Sequence, residues 1–242
     1  MYSGKLVKYY DDLVHLKDYH TESMFIKNNS KLNKVLDVGC GTGTHIENLC
    51  RISNPEVIIG VDPENEMLEI AKIKFANYSN VSFKNCEITN FRVINLDFDT
   101  IISMFNIINH ILDKKDLELY FKSISDLLSI DGAFIFDCFD SALIDDDPRY
   151  TKKEVISSAA GGRYLINGTT SFDYDTGYMK MDNHVRVFYL DEEVDSFDYM
   201  LEHRIWPSDF LEEMIEKYNM KVEKVVSNKG SKITFVCKGV TR

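Results

Sequence analysis

No two cysteines in this chain are spaced as C-x-x-C; the five stand apart at 40, 50, 86, 138 and 237. An odd, scattered set excludes a disulfide frame and a cysteine zinc site, and implies reduced thiols in a cytoplasm. Basic residues are in deficit: 28 Lys and Arg face 39 Asp and Glu, a net charge of -11. That balance argues against a broad nucleic-acid or anionic-membrane surface. It does not exclude a small anionic ligand, which needs only one or two local cations. No apolar stretch is long enough to span a bilayer. The N-terminus carries Lys5, Lys8, Asp11 and Asp12 where a secretory signal would be apolar. Internal repeats, low-complexity tracts and linkers are missing as well. We therefore expect a soluble cytoplasmic protein of one α/β domain, residues 1–242, whose 44% hydrophobic content suits a real core.

What is present is an alternation. Residues 5–28 set Leu6, Tyr9, Tyr10, Leu13 and Val14 at helical spacing. Strands are expected at 34–38, 57–61, 81–84, 100–105 and 133–138. Helices are expected at 44–51, 64–77 and 113–129, with Asp131-Gly132 as a turn. The run VIIGV at 57–61 is apolar throughout, as suits a strand buried on both faces. Such βαβα alternation predicts a mostly parallel sheet with helices on both sides. From 161 to 205 the pattern changes: GGRYLING, YMKMDNHVRVFYL and DYMLEHRIW alternate, broken by turns such as Asp175-Thr176-Gly177. These read as antiparallel strands. A helix at 207–218, opened by Pro207, and strands at 221–226 and 232–238 around Asn228-Lys229-Gly230 then resume the α/β pattern. The expected organisation is a helical cap at 1–30, a core at 31–140, an antiparallel insertion at 141–206, and a closing helix and hairpin at 207–242. The insertion suits a lid or a homodimer face, and the sequence leaves both open.

Residues 35–46 read VLDVGCGTGTHI, with Gly39, Gly41 and Gly43 just past the first strand. Glycines in a strand-to-helix turn mark a close approach to the backbone. Strand, glycine loop and helix is the dinucleotide-binding arrangement in outline. The nicotinamide fingerprint is G-x-G-x-x-G, however, and this loop reads G-x-G-x-G. In the former the helix N-terminus faces a pyrophosphate; in the latter the loop lies beside a ligand with no phosphate. A nicotinamide-dependent oxidoreductase is thus disfavoured, and a protein that merely holds a cofactor is the other competing class.

The string LDVGCGTG resembles the first motif of the class I S-adenosylmethionine-dependent methyltransferases. The resemblance implies a Rossmann-like, mostly parallel sheet with a terminal antiparallel hairpin, S-adenosylmethionine as cofactor, and no metal. It makes Gly39, Cys40, Gly41 and Gly43 the cofactor loop, with Asp37 and Tyr10 near the methionine part. Asp62, followed by Pro63, would accept both ribose hydroxyls, and Met67 would pack on the adenine. Glu87 in NCEI would receive the adenine amino group, Ile88 would offer a backbone N–H, and Met104 in SMF would lie near the sulfonium. Singly, each has a plainer reading: Asp62 a cap, Glu87 a solvated charge, Met67, Met104 and Tyr10 core. Their order behind the glycines favours the site.

Several stretches resemble one branch, the sugar-nucleotide (dTDP-amino-sugar) N,N-dimethyltransferases. MYSG, YYDDLVHLKDYHTE, the Thr-His after the glycines, SMFNIINHI and LEHRI carry this likeness. It implies His110 and Tyr2 as catalytic candidates, with in-line methyl transfer to an amino group. The segment after strand five, DCFDSALIDD, lacks the branch's tryptophans, and SNKGSKITF replaces its glycine-rich, arginine-bearing end. Lys232 is the nearest cation to that place, and Arg163 and Arg204 are the other candidates for binding a pyrophosphate. The expected partner is a small-molecule acceptor, not nucleic acid or membrane. Another small amine, an amino acid or a hydroxyl compound is the alternative acceptor.

Overall fold

A computed structural model describes residues 4–94, 96–139, 149–157, 162–227 and 232–240. Its elements run α1 (Lys5–Leu13), α2 (Tyr19–Asn29), β1 (Lys34–Val38), α3 (Thr44–Ile52), β2 (Val57–Asp62), α4 (Asn65–Lys74), β3 (Val81–Asn85) and β4 (Phe98–Ser103). There follow α5 (Lys114–Leu127), β5 (Leu128–Phe139), β6 (Arg149–Ser157), β7 (Gly162–Asp173), β8 (Tyr178–Tyr189), β9 (Glu192–Arg204), α6 (Ser208–Lys217), β10 (Met220–Ser227) and β11 (Lys232–Gly239). The chain packs as two units. Met1–Lys17 goes with Asp145–Arg204, and Asp18–Ile144 goes with Ile205–Arg242.

In the larger unit seven strands lie in the order β10-β11-β5-β4-β1-β2-β3. The neighbours β1–β2, β1–β4, β4–β5 and β2–β3 are parallel, while β11 runs antiparallel to β5 and to β10. The fold is thus the Rossmann-like methyltransferase arrangement, a parallel sheet closed by an antiparallel hairpin. The apolar run of β2 is buried as its sequence demands: Ile58, Ile59 and Val61 all lie in the core. Aromatic rings fill the middle of the sheet. Phe136 stacks between Phe134 and Phe235, with centroids 4.9 Å apart on each side.

Three expectations are corrected. Residues 5–28 are two helices, because the Asp18 side chain accepts the Thr21 N–H at 2.9 Å and caps a fresh start. The expected cap at 1–30 is accordingly shared: α1 packs with the antiparallel unit and α2 with the parallel one. The fifth strand begins at Leu128, not 133, and the helix before it stops at Leu127. Asp131 takes φ 61°, and the β4–β5 register slips between Phe98 and Thr100, so the expected Asp131-Gly132 turn is a bulge within the strand. Finally, Ile205 and Trp206 group with the parallel unit, where the Trp206 indole donates to the Ile111 carbonyl at 3.1 Å. Residues 141–148 and the turn Asn228-Lys229-Gly230 lie outside the described residues.

The smaller unit is the antiparallel sheet β6-β7-β8-β9 with α1. One face gathers Tyr164, Ile166, Val185, Val187, Phe197 and Tyr199 with Tyr9 and Leu13 of α1. The Tyr9 ring stacks on Phe197, and its hydroxyl donates to Asp195 at 3.0 Å. Lys5 also donates to Asp195, and the Tyr164 hydroxyl to Asp12 at 2.6 Å. All five cysteines are free. Among the described residues no helix is long and apolar enough to cross a membrane, and no group of His, Cys, Asp and Glu could hold a metal ion.

Candidate functional site

The loop after β1 is fixed by its own backbone. Gly39, Gly41 and Gly43 all have positive φ, at 72°, 52° and 80°, a region that side chains rarely enter. The Gly39 and Cys40 amides donate to the Val61 carbonyl at 2.8 and 3.1 Å, tying the loop to the end of β2. The glycines differ in what surrounds them. A β-carbon on Gly39 would lie 2.5 Å from Ile107 Cδ1, and one on Gly43 2.9 Å from the Phe75 ring. At Gly41 nothing stands within 4 Å of that position. Gly39 and Gly43 therefore permit close packing, while Gly41 borders open space.

Asp62 closes the loop from the other side. One carboxylate oxygen accepts the Gly41 N–H and the other the Glu64 N–H, both at 2.8 Å. Burial pushes its pKa up, opposed by those two N–H bonds. Each oxygen retains a second lone pair. Pro63 follows, exposed, and Asn85 donates to its carbonyl at 2.8 Å. Met67 in α4 and Ile88 are buried. Glu87 is exposed at the head of a short 3-10 turn, Ile88–Asn90. Asp37 is buried near the end of β1. It acts on its surroundings: burial first, then the charges of Asp37 and Asp62, push the Cys40 thiol well up. Burial likewise raises the Tyr120 phenol, with a Ser103 hydrogen bond opposing and the Asp37 charge adding to it. Met104 packs inside a core cluster with Ile102 and Ile135.

Beyond β4 the chain makes an abrupt turn. Phe105 and Asn106 are both left-handed, at φ 73° and 59°. Asn106 donates its amide to Asp137 Oδ1 at 2.6 Å, and Asn109 Oδ1 accepts the Phe139 N–H at 2.9 Å. These bonds hang the 3-10 turn Ile107–His110 from the end of β5, with His110 half-buried at its last position. Lys232, at the start of β11, pairs with Phe139 in register. Its ammonium lies 3.8 Å from Asp137 Oδ2 and 4.8 Å over the Phe105 ring.

The parallel unit thus brings together the glycine loop, Asp62 and the Ile107–His110 turn. Tyr2 lies outside the described residues. Tyr10, Arg163 and Arg204 belong to the antiparallel unit. There Tyr10 is half-buried on α1, Arg163 meets Asp191 and the Phe188 ring, and Arg204 covers Tyr178. Sequence reasoning missed Phe105, Asn106, Ile107 and Asp137. An Asn just past a strand and an acid near the end of the next were the available signals. It also missed Glu22, whose carboxylate meets His45 Nε2 at 2.8 Å beside the Tyr19 ring, and for which no motif gives a sign.

Strand order, glycine loop and terminal hairpin are those of the Rossmann-like methyltransferase fold. Residues 35–132 match the family model described as "Methyltransferase domain". YqeM of Bacillus subtilis (strain 168), named as a methyltransferase, is 22% identical over 224 residues, 90% of this chain and 86% of that protein. Among solved structures, an S-adenosylmethionine-dependent methyltransferase from Clostridium acetobutylicum ATCC 824 shares 25% identity, covers 98% of each chain and has a TM-score of 0.80. The S-adenosylmethionine-bound amino pentose methyltransferase CalS10 from Micromonospora echinaspora covers 98% of each chain at 16% identity, with a TM-score of 0.79. This chain is a methyltransferase, and S-adenosylmethionine is its methyl donor.

Proposed function

We propose that the chain methylates the amino group of a small acceptor carrying an anionic group, such as a nucleotide-linked amino sugar. The observation that carries this reading is the turn after β4: Phe105 and His110 lie on one segment suspended from β5, Lys232 of β11 lies over the Phe105 ring, and Ile107 of that segment is packed on Gly39. The whole-chain fold likeness to an amino pentose methyltransferase is in keeping with it.

The residues present fit the donor. The open space at Gly41 is where the loop admits it, and the remaining lone pairs of Asp62 suit two ribose hydroxyls. Met67 and Ile88 would flank the adenine and Glu87 its amino group, with Asp37 toward the amino-acid end. Pro63 and Cys40 belong to the two loops, and Met104 lies with Cys40 in one core cluster. The bound donor supplies a methyl already activated on a sulfonium. The chain's own work is to align the nucleophile, which can supply up to about 7–11 kcal/mol of the barrier, and to manage a proton. An ammonium has no lone pair, so the acceptor must lose a proton to react. His110 takes it, the proton transfer to which an imidazole is suited near neutral pH. Lys232 holds the anionic group. Arg163 and Arg204 rank behind it, since both belong to the antiparallel unit and not to the unit that carries His110.

A methyl-transfer assay across amino-sugar nucleotides, amino acids, simple amines and hydroxyl compounds tests the reading, with product mass giving one or two methyls. Transfer to uncharged amines in preference to phosphorylated amino sugars would overturn it. In the active pair, His110→Ala should lower kcat by roughly a hundredfold or more and leave S-adenosylhomocysteine affinity within about threefold.

A further inference from the structure

The mechanism just given makes no use of Asp137, the buried carboxylate near the end of β5, which is 2% exposed. Its two oxygens face different partners. Oδ1 accepts the Asn106 N–H at 2.6 Å, and Oδ2 lies 3.8 Å from the Lys232 ammonium. The amide that it holds belongs to the second of two consecutive left-handed residues, neither of them glycine. Such a pair is uncommon outside glycine, most of all at an aromatic residue such as Phe105, and persists where the surroundings impose it. The next residue, Ile107, packs so close to Gly39 that a β-carbon there would meet its Cδ1 at 2.5 Å. His110 ends the same short turn.

We infer that Asp137 is a positioning residue: its carboxylate holds the strained Phe105–Asn106 turn, so that Ile107 seats on the cofactor loop and His110 faces the acceptor. Three observations converge on this. The bond is short and charge-assisted, the stronger kind in a buried setting. The turn puts Phe105 in a left-handed geometry that an aromatic residue rarely adopts unaided. The Asn109–Phe139 bond, which fixes the other end of the turn, also reaches β5. Lys232 stands 3.8 Å from the far oxygen and supplies a counter-charge within the same unit. The inference rests on the site assignment above, but its test needs no acceptor.

The experiment compares Asp137→Ala, Asp137→Asn and Lys232→Met with the unaltered protein. Amide hydrogen exchange is followed at Asn106, with the amides of β1 as the reference for global stability, and S-adenosylhomocysteine affinity is measured by calorimetry. Asp137→Ala should speed exchange at Asn106 by roughly tenfold or more, the scale of one charge-assisted bond, with β1 unchanged, and weaken S-adenosylhomocysteine about tenfold. Asp137→Asn retains an acceptor oxygen and should rescue both within about threefold, while moving the Asn106 amide proton resonance upfield as a neutral acceptor replaces a carboxylate. Lys232→Met should leave exchange at Asn106 within about threefold. Unchanged exchange in Asp137→Ala overturns the inference, as does equal acceleration at Asn106 and throughout β1. If Asp137→Ala does not fold, the Asn106 resonance in Asp137→Asn decides, and its failure to move overturns the inference. An acceptor screen that finds no anionic amine defeats the proposed substrate and leaves these readouts intact.

Discussion

In the parallel-sheet unit, β1, β2 and β4 are buried on both faces, and the strands meet helices on either side. In the antiparallel unit only alternate residues are buried, and the other face of β8 and β9 is a row of charges. There Arg186 binds Glu193 through two nitrogens, His184 meets Asp198 at 2.7 Å, and Phe188 lies against the guanidinium groups of Arg163 and Arg186. The first unit holds together by apolar burial and the second largely by one buried face plus exposed pairs, which contribute little each. The same difference separates their chemistry. The first unit offers backbone N–H groups and short acids at strand ends, where geometry is rigid. The second offers long side chains, whose identity the fold constrains weakly. The largest expected effect puts this directly to the test. Phe136→Ala should cost about 3–5 kcal/mol and Phe188→Ala about 1 kcal/mol or less, both by denaturant unfolding. Equal losses would break the comparison.

Within the parallel unit a sharper contrast is available between two glycines of one loop. Gly39→Ala meets both an unfavourable φ and the Ile107 side chain, so it should lose stability and donor affinity together. Gly41→Ala meets only the unfavourable φ, a cost of about 1–2 kcal/mol, but its methyl enters the open space proposed above for the donor. We expect Gly41→Ala to weaken S-adenosylhomocysteine by roughly tenfold or more, with a stability loss no greater than that of Gly39→Ala. Calorimetry and denaturant unfolding on both variants check this. Intact affinity in Gly41→Ala would mean that the donor does not lie against that stretch of backbone.

The same contrast explains how much was legible in the sequence. Period and punctuation announced the parallel sheet, because apolar runs, glycines and strand-end acids are local signals of local constraints. VIIGV, the glycine triplet and Asp62 are such cases. The break at Asp18 and the bulge at Asp131 escaped because each is decided by one side-chain bond or one register slip, not by periodicity. The acceptor side was the least legible. Asp137 and Asn106 are 31 residues apart and meet only because β4 and β5 are neighbours. Glu22 and His45 meet only through helix packing. No spacing rule reaches contacts of that kind.

The smallest expected effect concerns the antiparallel unit alone. α1 is held to its sheet by titrating groups as well as by rings. Asp195 lies below the ordinary carboxylate range because Lys5, then Tyr9, donate to it. A lowered acid stabilises above its ordinary value near 3.8 and loses that contribution as pH falls through the lowered one. Tyr164 lies above the ordinary phenol value of 10.0, first through burial and then through its bond to Asp12. A raised group stabilises fully below its ordinary value and loses that contribution as pH rises through the raised one. Docking of α1 is therefore bracketed, weakening below about pH 4 and above about pH 10. β1 of the parallel unit is held by apolar burial, with Val35, Leu36 and Val38 in the core. Amide exchange of residues 5–13, corrected for the intrinsic pH dependence, should show protection falling at both ends while β1 holds. Asp195→Asn should erase the acid limb and leave the alkaline one. If α1 and β1 lose protection in step across the whole range, then the exposed pairs of Lys5, Tyr9 and Asp195 add nothing that burial does not already supply.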